Sequence, residues 1–418
     1  MMKKLTLILA ITAGLAGVGA GPMAGRLSAA TAESSRIFTP FFDMTLSENG
    51  YLPSEGNLFS GGNINTQVGL LAKITEKDQV FGLYNFNYGG PGFAPQDTRQ
   101  FTDRSLTHGF NFEYRRSLGG RFRVRPGVSF SKDYTRSGAN EAWDQGLYNT
   151  ESKGFQVAVD YSFDKERNGF LTAQFLTRDI EFPNYTDLFQ EFMNASATSE
   201  LSGGQQDQRL TQVSLRPNWN KFFGGVTLTT QKYRNQRVVS ASGAYADEKQ
   251  KESSTALDFG FHHRLWIFEL YPTVSYTVRD SNQNYMRYKT IGATGLATDP
   301  SGDVYFMADN YSFREMAFVV PVDLNITSKW AVGGAMSVVK RNYDGRLRRD
   351  ASNNYVPGEK QENTMTTLTG SIRKRINDVA MVRLSYSLVV ASSNNEFEQY
   401  MPYNYTGNSF GISYQLSY

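Results

Sequence analysis

The sequence predicts an all-β chain, an up-and-down antiparallel β-barrel of about sixteen strands that crosses a lipid bilayer. Three observations predict it. Large apolar residues recur at every second position over segments of about 10–15 residues. The connections between those segments alternate short and long along the whole chain. The aromatic residues, 29 Phe and 24 Tyr among 418 residues, gather at the segment ends. Fourteen and eighteen strands are the flanking counts, because 280–310 is long enough for a further hairpin although its apolar alternation is poor.

Composition excludes the main alternatives. Mean hydropathy is −0.45, which rules out a bundle of transmembrane helices, each needing roughly 20 consecutive apolar residues. Net charge is +3, from 43 Lys and Arg against 40 Asp and Glu, too balanced for a nucleic-acid binder with a broad basic face. An aromatic content of 14% is too high for a disordered chain. With no Cys there is neither a disulfide nor a lipid-modified N-terminal cysteine.

The start of the chain reads as an export signal. Lys3 and Lys4 precede an apolar run over 5–11 and then small residues to Ala20, the charged and apolar regions of a secretory signal over 1–20. Cleavage as late as Ala32, in Ala30-Thr31-Ala32, fits as well. A short extension over 21–35 then leads into a single barrel domain over 36–418.

Within that domain the alternating sets follow in order. They include Phe122/Val124/Pro126/Val128/Phe130, Phe155/Val157/Val159/Tyr161, Val213/Leu215/Pro217/Trp219 and Leu257/Phe259/Phe261. Phe268/Leu270/Pro272/Val274/Tyr276, Phe318/Val320/Val322/Leu324 and Val382/Leu384/Tyr386/Leu388/Val390 continue the series, and Phe410/Ile412/Tyr414/Leu416/Tyr418 ends it. A period of two means strands with one apolar and one polar face. Pro126, Pro217, Pro272 and Pro321 fall inside these sets, where each must remove a ladder hydrogen bond or mark a bulge.

Seven connections are short, at 75–78, 117–120, 163–168, 220–223, 263–265, 326–329 and 375–378. Eight are long and polar, at 47–62, 89–104, 136–150, 183–208, 235–251, 280–310, 344–360 and 394–408. Strict alternation puts the short turns on one rim and the long loops on the other. So many loops longer than about 12–15 residues are foreign to a compact soluble domain. A closed barrel also explains the low hydropathy: backbone groups are bonded to neighbouring strands, and only the outward half of each strand needs to be apolar.

Aromatic placement marks two levels. Trp219, Trp266 and Trp330 lie beside short turns, with Phe122, Phe163, Phe170, Phe222, Phe223, Phe268 and Tyr418. At the other end are Tyr84, Phe86, Tyr88, Tyr134, Phe182, Tyr233, Tyr276, Tyr311, Phe313 and Tyr343. Two girdles are expected where amphipathic rings meet lipid headgroups.

On these features the chain resembles Gram-negative outer-membrane β-barrel proteins, over nearly all of 36–418. The sharpest local element is the last strand, with Phe410, Ile412, Tyr414, Leu416 and Tyr418 on one face. The resemblance implies that this strand is the signal read by the barrel-assembly machinery, although Tyr418 stands where the family usually has Phe. It also implies short periplasmic turns, long extracellular loops, a place in the outer membrane, and lipid and lipopolysaccharide as surroundings. Periplasmic partners or further copies of the chain are compatible with it; nucleic acid is not. General porins narrow their pore with a third loop carrying Pro-Glu-Phe-Gly-Gly, and 136–150 has Glu141 and Asp144 but not that stretch.

Covalent chemistry finds little support. The lone Gly-x-Ser-x-Gly, at 407–411, opens the terminal strand rather than a strand-to-helix turn. Of the three histidines only His108 falls on the external half, without an evident Ser/Asp constellation. Asp299, Asp303 and Asp309 lack the spacing of a calcium loop. No catalytic group, metal or cofactor is expected.

The polar parity is more informative. It carries Lys73, Arg115, Arg123, Arg125, Arg178, Arg216, Arg279, Arg341, Arg373 and Arg383 against Asp43, Glu113, Asp160, Asp258, Glu269, Glu315 and Asp323. Most should pair across strands. Arg123, Arg125, Arg216, Arg383, Glu113, Asp258 and Glu269 are the lumen candidates, and Arg123 and Arg125 lack a partner in their own strand. In 185–197, Leu188, Phe189, Phe192 and Met193 share one helical face behind Asp187, a piece able to fold into the lumen as a constriction or to pack on the rim. The leading expectation is a passive channel for small polar solutes with weak anion preference. Its rivals are an export barrel for a polymer such as an exopolysaccharide, and a structural barrel that binds surface partners through its loops.

Overall fold

The computed structural model describes residues 37–53, 59–91, 103–136, 141–185, 206–241, 245–286, 290–292, 295–297, 306–398 and 402–418. Sixteen strands form one closed wall. They are β1 Phe38–Pro53, β2 Phe59–Lys73, β3 Asp78–Pro91, β4 Arg104–Leu118, β5 Phe122–Arg136, β6 Thr150–Asp164, β7 Gly169–Glu181 and β8 Gln208–Trp219. There follow β9 Phe222–Val239, β10 Tyr245–Phe261, β11 Phe268–Leu270 continuing through Thr273–Ser281, and β12 Phe313–Asn325. The last four are β13 Trp330–Arg349, β14 Tyr355–Arg375, β15 Ala380–Ser393 and β16 Tyr405–Ser417. Each pairs antiparallel with its neighbours in sequence, and β16 pairs with β1 to close the barrel. Short turns join alternate pairs; Gly119, Gly120, Asn168 and Asn220 take the left-handed backbone that tight turns favour in Gly and Asn.

The register sorts every strand into two faces. Val68 sits opposite Tyr84, Phe110 opposite Phe130 and Leu257 opposite Tyr276, all on the outside. Gln67 faces Asn85, Asn111 faces Ser129, and Asp258 faces Ser275, all on the inside. Apolar side chains such as Phe110, Leu257 and Ile412 are therefore exposed on the isolated chain, and no large side chain among the described residues is fully buried. The solvent of that outer face is lipid.

The prolines interrupt the ladder as their missing N–H requires. Pairing of β4 with β5 skips from Glu113/Gly127 to Arg116/Val124 around Pro126, and pairing of β8 with β9 skips from Leu215/Val226 to Asn218/Phe223 around Pro217. Pro272 splits β11 into its two stretches. Pro321 keeps its place opposite Ala335, and its carbonyl accepts from Tyr271 N–H at 3.1 Å.

Two expectations change. The polar stretches 47–62, 235–251 and 344–360 are largely strand rather than loop: β1 runs to Pro53, β10 starts at Tyr245, and β13 and β14 leave only 350–354 as a turn. Beyond the bilayer both faces of a strand meet water, so the apolar alternation stops before the strand does. The outer aromatic level also loses members. Phe313 and Tyr343 are on the inward parity with Glu315 and Arg341, and Tyr233 is inward with Gln231. His108 joins that level instead: its Nδ1 is 2.8 Å from the Tyr84 hydroxyl and its ring packs against Phe86 and Tyr134.

The thickness of the apolar band follows from β9. Phe222 lies at the inner girdle opposite Trp219, and Lys232 is ten residues further along the same outward face. A rise of about 3.4 Å per residue and a tilt of about 40° separate them by roughly 26 Å, the height of an outer-membrane apolar band. At that level Arg209 faces Lys232, and Lys232 faces Lys251, an outward row of cations on three adjacent strands. The signal at 1–20, the extension at 21–35, and Leu188, Phe189, Phe192 and Met193 lie outside the described residues.

Candidate functional site: the lumen wall

The interior is a charged wall built from alternate positions of paired strands. On β4, Glu113 is buried and accepts from Arg115 Nε at 2.6 Å; its other oxygen lies 3.3 Å from Arg125 Nη1. Arg125, on β5, also donates to both oxygens of Asp160 on β6, at 2.8 and 2.9 Å. Arg125, which has no partner in its own strand, is thus fully engaged by the two flanking strands. Arg216 lies 3.8 Å from Asp258, and Glu269 lies 3.9 Å from Arg264 while accepting from the Tyr271 hydroxyl at 2.9 Å. Further pairs are Arg341–Glu315 at 2.5 Å, Arg279–Glu252 and Arg373–Asp323.

Small residues make some of these contacts possible. Arg373 on β14 reaches Asp323 on β12 across the whole of β13, and the position it crosses is Gly333, opposite Asp323 in register. A Cβ at Gly333 would stand 3.0 Å from the Asp323 carboxylate and 2.9 Å from Ser371 Oγ. Arg216 reaches Asp258 in the same way across Gly225.

Once these pairs are formed, cations remain. Among the described residues no carboxylate lies within 4.0 Å of Lys73, Arg123, Arg178 or Arg383. Arg383 sits opposite another guanidinium, Arg373, in the ladder. The inward carboxylates named from the sequence are engaged, and so are two others that it did not single out. Glu252 holds Arg279, and Asp133 accepts from Thr107 and Thr150 at 2.7 and 2.8 Å. Asp43 accepts from Gln415 Nε2 at 2.8 Å and Ser417 Oγ at 2.5 Å. Of the lumen candidates, then, the fold brings Glu113 to Arg125 and Asp258 to Arg216 and gives Glu269 to Arg264; Arg123, opposite Asp160 in register, and Arg383 have no carboxylate within 4.0 Å among the described residues.

A second region carries almost no charge. A cavity of about 310 Å³ opens on the inner surface of β2 to β7. Gln67 lines it from β2, Asn85 and Asn87 from β3, Thr107 and Asn111 from β4. Ser129 and Ser131 from β5, Ser152 from β6 and Arg178 from β7 line it as well, together with Gly109 and Phe130. Amides and hydroxyls attract no attention in a charge inventory; only their shared parity on five successive strands betrays them.

An apolar outer band roughly 26 Å tall, a charged interior and a closed wall define an outer-membrane β-barrel protein. No protein-family model matches the sequence, and no curated protein does. Among solved structures the chain is similar to the trimer form of OmpT from Vibrio cholerae, at 11% identity and TM-score 0.45, covering 92% of this chain and 100% of that one. It is similar to an anion-selective porin from Comamonas acidovorans, at 7% identity and TM-score 0.44, covering 91% and 100%. The outer membrane protein opdK from Pseudomonas aeruginosa aligns at 8% identity and TM-score 0.39, covering 91% and 99%.

Proposed function

We propose that the barrel is a passive diffusion channel for small polar solutes and that it prefers anions. The observation that carries this reading is the asymmetry of the wall: among the described residues Lys73, Arg123, Arg178 and Arg383 have no carboxylate within 4.0 Å, whereas each inward carboxylate described above is held by a donor. An unneutralised cation on a low-dielectric wall raises the local concentration of anions. Sixteen strands enclose enough width for an aqueous path. In this reading no residue performs covalent chemistry.

The test is a planar bilayer holding the purified barrel under a potassium chloride gradient. An anion-selective reversal potential is expected, and Arg123→Gln with Arg383→Gln should move it towards neutrality. Cation selectivity would overturn the anion preference, and the absence of conductance would overturn the channel itself. One observation favours a surface-binding role beside it. Outside the bilayer, Met307, Leu347 and Tyr355 form a small buried cluster with Tyr285 against it, so the external face of β13 and β14 is built rather than loose.

A further inference from the structure

Between β2 and β7 the lumen wall offers neutral donors and acceptors around one cation. Arg178 faces Gly154 on β6 in register, and a Cβ at Gly154 would lie 3.6 Å from Arg178 Nε and 2.4 Å from Ser129 Oγ. The missing Cβ lets the guanidinium lie flat over β6 towards β5. Its Nε is shielded from solvent and has no hydrogen-bond partner among the described residues. Arg373 also has an unmet Nε, but Arg373 holds Asp323, and Arg178 holds no acid among the described residues. The bordering carboxylate, Asp133, is turned to Thr107 and Thr150. What remains is a cationic fork beside a field of amides and hydroxyls.

We propose that this cavity is a binding subsite for a small hydroxylated carboxylate, of the sugar-acid class. Arg178 takes the carboxylate, for which a guanidinium offers paired donors. Asn85, Asn87, Asn111 and Ser129 take the hydroxyls, since amides and hydroxyls both donate and accept. A volume of about 310 Å³ is at the small end of ligand pockets, roughly 300–1,000 Å³, and suits a single ring rather than a polymer. An aliphatic carboxylate would leave the neutral wall unmet, and a neutral sugar would leave the guanidinium unmet. The proposal rests on the channel reading only in that solute must reach the lumen.

Titration calorimetry on the whole detergent-solubilised barrel tests it without a membrane, so failure here and failure of conduction are separate results. The probes are glucuronate, glucose and acetate. Glucuronate is expected to bind at least tenfold more tightly than either of the others. Arg178→Gln should lower glucuronate affinity at least tenfold and leave glucose unchanged, and Arg178→Lys should recover part of the loss. Heat-modified gel migration confirms that each variant has folded. The proposal is overturned if wild-type barrel does not bind glucuronate, if glucose or acetate matches it, or if Arg178→Gln keeps the ratio. A conducting barrel with any of those results keeps the channel and loses the site.

Discussion

Glu113 sits between two guanidiniums, with Arg115 on one carboxylate oxygen and Arg125 on the other. Removing it leaves two cations side by side on a partly desolvated wall, where losing one member of a buried pair costs about 3–5 kcal/mol. The lumen is wet, so Glu113→Ala should cost about 2–3 kcal/mol, at or just below the lower end of that range; urea unfolding in lipid vesicles measures it. Glu113→Gln keeps an acceptor and should cost less than Glu113→Ala. Equal losses would show that packing, not charge, is what Glu113 supplies. Gly333 makes a complementary case. Its Cα hydrogen occupies the path of Arg373 to Asp323, and a valine there collides with the Asp323 carboxylate and Ser371. Overpacking of this kind typically costs about 1–3 kcal/mol, and in the same unfolding assay Gly333→Val should fall in that interval while Gly334→Val, with only a carbonyl 3.8 Å away, stays near wild type.

The strands carry two kinds of information, and only one was legible in the sequence. Inside the bilayer, lipid on one face and water on the other write a period of two into the residues, so the order, number and parity of strands could be read directly. Above the bilayer the same strand meets water on both sides, and the 248–251 stretch of β10 looks like loop although Lys249 and Lys251 are paired with β9, with an irregularity between them. Cross-strand partners were illegible for another reason: Arg125 finds Asp160 and Arg373 finds Asp323 through register, and Gly333 sets the reach of the latter. The outward row Arg209, Lys232 and Lys251 also emerges only from register. Like charges directly opposite are destabilising unless something neutralises them; Asp179 holds Arg209 at 2.8 Å, and lipid phosphate is the neutraliser expected for Lys232 and Lys251. Lys232→Glu with Lys251→Glu should therefore lower the unfolding midpoint in vesicles containing lipopolysaccharide more than in a phosphate-free detergent. Equal shifts in both would show that the row is not in contact with lipid phosphate. The turn at 350–354 adds a pH dependence. The backbone N–H of Asn354 donates to Asp350 at 2.8 Å and holds its carboxyl below the ordinary carboxylate range. A depressed acid stabilises the folded turn above its unfolded pKa, about 3.9 for Asp, and that contribution is lost as pH falls through the lower folded value. Proteolytic nicking within 350–354 should rise at the acid end for wild type, and Asp350→Asn should flatten the dependence.

Closure makes the molecule one unit. Fourteen of the sixteen strands are held by neighbours adjacent in sequence on both sides, but β1 and β16 meet only after the whole chain has been laid down. That seam is therefore the pairing with the largest loop-closure cost, which grows with the logarithm of the enclosed length. Its sequence offsets that cost on both faces. Inside, Asp43 is buried and accepts from Gln415 and Ser417 across the joint. Outside, the Phe410 ring covers Gly50, where an added Cβ would come within 2.4 Å of it, and Phe42 and Tyr418 exchange backbone hydrogen bonds at 2.9 and 2.8 Å. The strand that resembles an assembly signal is thus also the closing strand, and its outward residues pack on β1. Asp43→Ala removes two side-chain hydrogen bonds to a carboxylate and leaves Gln415 and Ser417 facing water in the lumen. Bonds to charged groups contribute about 1.5–3 kcal/mol each in a dry site, so roughly 2 kcal/mol for both is the expectation on a wet wall. Because no strand can close without the seam, the loss should appear as one cooperative shift of the unfolding midpoint, seen equally by tryptophan fluorescence and by gel migration. If the two probes separate, with migration changing while fluorescence holds, the seam opens alone and the barrel is not the single cooperative unit that its closure implies.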